Sequence, residues 1–282
     1  MMVKRKFVPG SEWLYFKIYT GIKTADIILE ESIEPLVAYF KENNLISQWF
    51  FIRYSDPNPH LRLRFKLTQT ENYTDVLQKV NTTLTEYTNS GEISNILIDI
   101  YNREIERYGS NTIEEAEALF WNNSEFTLQC LHYTDEEKLM ISLFYIDELL
   151  NQLNLPIQEK LNWIKDFNEV FKKEFNVDKK LNSQLDKKYR EFNPQLLDFI
   201  QSEEFSEERN TIISTVSESA SVLQTILNHH KNESSESSLQ TFFQSIFHMN
   251  INRMFISNQR LFEMIVYDYL FRYYKTVAFR AL

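Results

Sequence analysis

His60-Leu61-Arg62-Leu63-Arg64-Phe65-Lys66-Leu67 alternates strictly between polar and apolar residues and carries the clearest strand signal in the chain. Successive strand side chains point to opposite faces. Leu61, Leu63, Phe65 and Leu67 therefore share one face, and His60, Arg62, Arg64 and Lys66 share the other. Immediately before it, residues 55–59 (SDPNP) carry turn chemistry, and residues 48–54 read as a partner strand. Further out, residues 12–20 (EWLYFKIYT) form an aromatic-rich strand. Residues 24–43 repeat apolar side chains at helical spacing, with Thr24 as N-cap and Ile27, Ile28, Ile33, Leu36, Val37 and Phe40 on the apolar stripe. On the other side lie a helix over 72–87, a turn at Asn89-Ser90-Gly91, and a fourth strand over 93–101.

The resulting order, β-α-β-β-α-β, is the split βαβ arrangement of ferredoxin-like folds. After Tyr108 the periodicity is helical, over 112–122, 135–153, 157–176, 178–203, 206–230, 237–254 and 257–278. Leu155-Pro156 and Asn193-Pro194 read as breakers, and residues 231–238 (KNESSESS) as a polar loop. The expected fold class is α+β: a mixed sheet with its helices over 1–110, then a helical part over 111–282, together forming one integrated domain.

Composition narrows the chemistry. With only 4 Gly in 282 residues the chain has neither GxGxxG nor GxxxxGK[ST], which argues against a dinucleotide or nucleoside triphosphate site. A net charge of −10 opposes direct nucleic-acid binding. Cys130 is the only cysteine, so an internal disulfide framework and multi-cysteine metal sites are ruled out, and no other metal-binding cluster stands out. No apolar run reaches the length of a membrane span and the opening MMVKRKFVPG lacks a secretory core, so the cytoplasm is the expected compartment.

Three places can carry chemistry. The cationic face of residues 60–67 is either a solvated surface or an anion-binding floor, since paired guanidinium groups suit carboxylates. Glu104 and Arg107, three apart, form either a surface ion pair or part of a site. His248 and Asn252, four apart, share a helical face, where a histidine is either a satisfied core residue or a proton carrier. His229-His230 beside the polar loop reads as solvated, and His132 has no distinctive setting.

The ordered set is more specific than its parts. Phe50-Phe51-Ile52-Arg53-Tyr54, Asp56-Pro57 and His60-Leu61-Arg62-Leu63-Arg64 resemble a signature of the lanthipeptide dehydratase C-terminal, glutamate-eliminating domain family, also called the thiopeptide-type bacteriocin biosynthesis domain. Glu104-Ile105-Glu106-Arg107-Tyr108-Gly109 followed by Glu117 and Phe120, and His248-Met249 with Asn252-Arg253, resemble its second and third signatures. Trp13-Leu14-Tyr15-Phe16-Lys17-Ile18-Tyr19 looks like its opening strand, so the likeness spans almost the whole chain. There are two departures: Asn123-Ser124 stands where Asp-Ser is expected, and Ser110 where a second glycine is common.

The resemblance implies a lyase that removes glutamate from glutamylated Ser or Thr of a precursor peptide, leaving dehydroalanine or dehydrobutyrine. It implies catalytic roles for Arg62, Arg64, Glu104, Arg107 and His248, with His248 or Glu104 as base, and substrate binding by His60, Arg53, Asn252 and Arg253. It implies no cofactor, and a free-standing form that depends on a separate tRNA-dependent glutamylating protein. A homodimer is compatible with it. Two other functions fit the same family likeness: a pyridine synthase that joins two dehydroalanines in a formal [4+2] cycloaddition, and a non-catalytic peptide-binding subunit.

Overall fold

The computed structural model describes residues 3–232 and 238–280. The stretch 233–237, most of the expected polar loop, lies outside the described residues. The fold is α+β, and its central sheet follows the expected order. Strands β2 (Trp13–Thr20), β3 (Ile46–Tyr54), β4 (His60–Leu67) and β5 (Ile93–Ile98) form one sheet in the spatial order β3-β4-β2-β5, with antiparallel pairing throughout. A two-residue β1 (Lys6–Phe7) pairs separately with β6 (Tyr101–Asn102), a ribbon that periodicity did not reveal. The fourth strand stops at Ile98 because Asp99 turns the chain, its side chain accepting the Ile100 N–H at 2.7 Å.

The apolar face of β4 does what alternation dictates. Leu61, Leu63 and Phe65 join Leu14, Phe16 and Ile18 of β2 and Trp49 and Phe51 of β3 in one buried core. Helices α1 (Thr24–Ile28), α2 (Glu34–Glu42) and α3 (Tyr73–Ser90) cover it with Ile28, Leu36, Phe40, Val76, Val80 and Leu84. The helix expected over 24–43 carries a π-helical turn at Leu29–Ile33. That wider turn lets Ile28 and Ile33, five residues apart, both reach the core.

The chain divides into two compact units. The first comprises Met1–His132 and Asn228–Ser257. Besides the sheet it holds α4 (Ile105–Tyr108), α5 (Ile113–Gln129) and α11 (Leu239–Met254), and α11 packs on α4, α5 and β3. The second unit, Tyr133–Leu227 with Asn258–Leu282, is built from α6 (Asp135–Gln152), α7 (Ile157–Glu174), α8 (Lys179–Gln201), α9 (Ser206–Glu218), the start of α10 (Ala220–Asn232) and α12 (Gln259–Arg280). Its helices are tied by buried charge: Asp268 accepts from Lys172 at 2.7 Å and Arg272 at 2.6 Å, and Asp147 from Lys160 at 2.7 Å and Tyr274 at 2.6 Å.

Two helical expectations are corrected in this unit. Pro194 does not break α8, because its ring sits on the exposed side, where a carbonyl freed from the ladder can be hydrated. The pattern over 206–230 is two helices, divided where Ser219 donates to the Val216 carbonyl in a tighter turn. Among the described residues no helix is long and apolar enough to cross a membrane.

Candidate functional site

The cationic face of β4 places its two arginines in different settings. Arg64 stands opposite Tyr15 on β2 and opposite Phe50 on β3, so both rings lie on its own side of the sheet. Its guanidinium carbon is 4.3 Å from the Tyr15 ring centroid, 5.1 Å from Phe50, and 4.9 Å from Tyr101 of β6. The residue is only 7% exposed, yet its Nε and Nη1 are buried with no hydrogen-bond partner. Burial pulls its pKa below the ordinary guanidinium value, Tyr15 and Tyr101 oppose that, Arg62 adds to it, and Glu104 opposes it from nearby. A buried cation held by ring faces with its N–H edge unused is poised to receive an anion.

Arg62 is half-buried and lies flat on Tyr54, its guanidinium carbon 3.4 Å from the ring centroid. Its Nε donates to His60 Nε2 at 3.2 Å, while His60 Nδ1 lies 2.8 Å from the Asn58 carbonyl oxygen. His60 is therefore the neutral tautomer with its hydrogen on Nδ1. Burial lowers its pKa from the ordinary 6.5; the Asn58 bond opposes this, and Arg62 and Lys17 reinforce it. The ring is packed between Tyr19 and Tyr54, 4.6 Å and 5.4 Å between centroids. Lys17, opposite Arg62 on β2, is paired with Asp99 at 2.5 Å, a bond that raises the lysine pKa and lowers that of the carboxyl.

Glu104, the residue just before α4, and Arg107, within it, form an exposed ion pair at 3.2 Å. Glu104 lies close enough to act on Arg64, and both Glu104 and Arg107 act on the buried Tyr108 hydroxyl. Burial raises that hydroxyl well above its usual range, and Arg107 opposes the rise. His248 is half-buried on α11, the helix that packs on α4 and β3, one turn before Asn252. Arg62, Arg64, Glu104, Arg107 and His248 thus all belong to the first unit, on β4, α4 and α11.

Arg53, Asn252 and Arg253, expected among the substrate-binding residues, bond to neighbouring parts of the first unit. Strand β3 is an edge strand, and its outward backbone groups need partners. Asn252 accepts the Arg53 N–H and donates to the Arg53 carbonyl, each at 2.9 Å. Arg253 donates to the Phe51 carbonyl at 2.7 Å, and Ser124 accepts the Phe51 N–H at 3.3 Å. The Arg53 side chain leaves on the helix-covered face, opposite Leu61, where it pairs with Asp26 at 2.6 Å and donates to the Arg253 carbonyl at 2.9 Å. The two positions that depart from the family pattern differ in weight. Asn123 is buried and bridges Arg253 and Asn250, at 3.1 Å and 2.8 Å, whereas Ser110 is exposed.

The aromatic residues around Arg64 were not singled out from sequence. Tyr15 and Phe50 are legible once the β2-β4-β3 register is drawn; Tyr101 is not, because it arrives on a separate ribbon. The role of Glu117 was equally hidden. Its fully buried carboxylate accepts from Tyr101 at 2.7 Å and takes two bonds from Arg103, both 2.7 Å.

The chain is similar to known proteins in sequence and in fold. A profile of the family described as "Lantibiotic biosynthesis dehydratase C-term" matches residues 13–274. Nisin biosynthesis protein NisB of Lactococcus lactis subsp. lactis is 30% identical over 180 residues, 56% of this chain and 17% of that protein. Subtilin biosynthesis protein SpaB of Bacillus subtilis is 30% identical over 186 residues, 62% of this chain and 18% of that protein. The matched stretch is therefore a small fraction of either relative's length. Among solved structures, the fold resembles the tRNA dependent lantibiotic dehydratase MibB from Microbispora sp. 107891, with a TM-score of 0.73 at 19% identity over 97% of this chain and 29% of that one. It also resembles TbtD, the pyridine synthase from thiomuracin biosynthesis, with a TM-score of 0.65 at 11% identity over 96% of this chain and 100% of that one. With the match running from β2 through the cationic strand to α12, the chain belongs to the C-terminal family of lantibiotic biosynthesis dehydratases.

Proposed function

We propose that this chain is a lyase that eliminates glutamate from glutamylated Ser or Thr of a precursor peptide. The observation that carries the reading is Arg64, a buried guanidinium with unpartnered N–H groups on the face that also holds Arg62. Burying a charge with N–H groups that lack acceptors is costly to a folded protein, so its use lies in an incoming anion. The glutamyl group supplies a carboxylate, and the reaction develops a second negative charge.

In the step itself, a base removes the α-proton of the esterified residue. The electron pair becomes the new Cα=Cβ bond, the Cβ–O bond breaks, and glutamate leaves as a carboxylate. The leaving group needs little help, whereas the weakly acidic α-proton needs a stabilised enolate oxygen. Arg62, Arg64 and Arg107 fill that role and hold the glutamyl carboxylate. His248 takes the proton, imidazole being a common general base, and Glu104 orients Arg107 or shares the transfer. His60 contributes by orienting Arg62, and Arg53, Asn252 and Arg253 by fixing α11 on the edge of β3. No change of oxidation state occurs, so the scheme calls for no cofactor. A separate tRNA-dependent protein supplies the glutamyl ester in the cytoplasm, and both parts of the chain, 1–110 and 111–282, serve one elimination domain.

The test is to give purified protein a peptide carrying one glutamylated Ser. Mass spectrometry should show loss of one glutamic acid without added metal, nucleotide or tRNA. A peptide with two dehydroalanines should form no pyridine ring. The opposite pair of results would assign the chain to the cycloaddition chemistry of TbtD, and inertness toward both would leave it a peptide-binding subunit.

A further inference from the structure

Tyr101 is held on every side. Its ring stacks on Phe7 at 5.8 Å between centroids and meets Trp13 and Phe50 edge-on at 5.3 Å and 6.0 Å. Its hydroxyl donates to Glu117 Oε1, the same oxygen that takes the Nε bond of Arg103. Arg103 also grips Glu117 Oε2 at 2.7 Å and the Lys4 carbonyl at 3.1 Å. Behind the tyrosine there is thus a closed ion pair, and in front of it lies Arg64 at 4.9 Å.

We propose that Tyr101 is a positioning residue for Arg64, anchored from behind by the Glu117–Arg103 pair. The proposal rests on the elimination reading for what Arg64 binds and deepens it. A carboxylate placed directly against Arg64 would orient it equally well but would occupy the N–H edge that a substrate needs. Ring faces orient the guanidinium and leave its Nε and Nη1 without a bonded acceptor. Arg103 neutralises Glu117, so that buried carboxylate does not compete for Arg64. A phenol that donates to a carboxylate also has a more electron-rich ring, which strengthens its hold on a cation. Tyr101 further shares a short segment with Glu104 and Arg107, so a shift of its ring would disturb the site from both sides.

Two readouts test this. Glutarate binding, followed by calorimetry in the full chain, reports the Arg64 edge without requiring catalysis; glutamate release from the glutamylated peptide reports the reaction. Wild-type protein should bind glutarate, and Arg64→Lys should weaken that binding. Tyr101→Leu should weaken glutarate binding about tenfold and lower kcat/KM mainly through KM. Tyr101→Phe, which keeps the ring, should recover glutarate binding to within about threefold of wild type. If Tyr101→Leu does not fold, Tyr101→Phe and Glu117→Gln carry the test, with both expected to bind glutarate up to about threefold more weakly than wild type and both better than Arg64→Lys. The proposal is overturned by glutarate binding that ignores Arg64, by Tyr101→Leu binding as wild type does, or by Tyr101→Phe binding as poorly as Arg64→Lys. Wild-type protein that binds glutarate but releases no glutamate would defeat the elimination reading while leaving the positioning role to the binding data.

Discussion

Arg253 and Arg64 are both buried arginines of the same unit, and they differ in where Nε and Nη1 go. Arg253 spends Nε and Nη1 on protein acceptors, the Phe51 and Met249 carbonyls and the Asn123 amide oxygen, and its guanidinium carbon lies 5.1 Å from the Phe120 ring centroid. Arg64 lies among three rings with Nε and Nη1 unbonded. The first pattern belongs to architecture, because an edge strand must have its outward carbonyls capped. The second is costly in a folded protein and becomes useful when an anion arrives. Residue type and burial alone do not separate the two; partner chemistry does.

Substitution should break the comparison cleanly. Arg64→Met should slow glutamate release by about 10²–10³-fold, the range for losing one preorganised donor. Its melting temperature should stay level or rise, since a buried cation without hydrogen bonds is removed. Arg253→Met should do the reverse, lowering stability by about 3 kcal/mol in chemical denaturation because the Phe51 carbonyl and Asn123 are left without a donor.

Smaller effects sharpen the picture. His60 must stay neutral to accept from Arg62, and its folded pKa is lowered from 6.5 by burial. The stability it contributes is therefore fully present above 6.5 and is lost as pH falls below that value toward the lowered one. Glutamate release should decline over the same interval, and His60→Phe should cost about fivefold at neutral pH, the weight of one hydrogen bond. A pH profile unchanged by His60→Phe would remove that residue from the account. Least affected should be Glu104→Gln. Its ion pair with Arg107 is exposed, so melting should not shift, and release should fall about threefold.

The strand at 60–67 made much of this legible, because strict alternation fixes which side chains share a face. The β-α-β-β-α-β order, the cationic face and the pairing of Glu104 with Arg107 all follow from local periodicity. Tertiary facts were hidden. Arg53 reads as one more cation beside Arg62 and Arg64, yet it stands opposite Leu61 and so belongs to the helix-covered face. Tyr101 reads as the end of the fourth strand, but Asp99 turns the chain and the ribbon with β1 brings its ring against Arg64. Asn252 and Arg253 share a motif with His248, and only the register of α11 on β3 shows that they clasp backbone. Helical spacing also placed seven segments after residue 110, without indicating that 228–257 returns to the sheet-bearing unit.

The central claim is that Arg64 is kept unpaired in order to receive the substrate's anion. One comparison tests it most directly: free glutamate released from a peptide with a single glutamylated Ser, by wild-type protein and by Arg64→Met of matched melting temperature. The account predicts one equivalent of glutamate from the wild type and almost none from the variant over the same period. Equal release by the two proteins would contradict it.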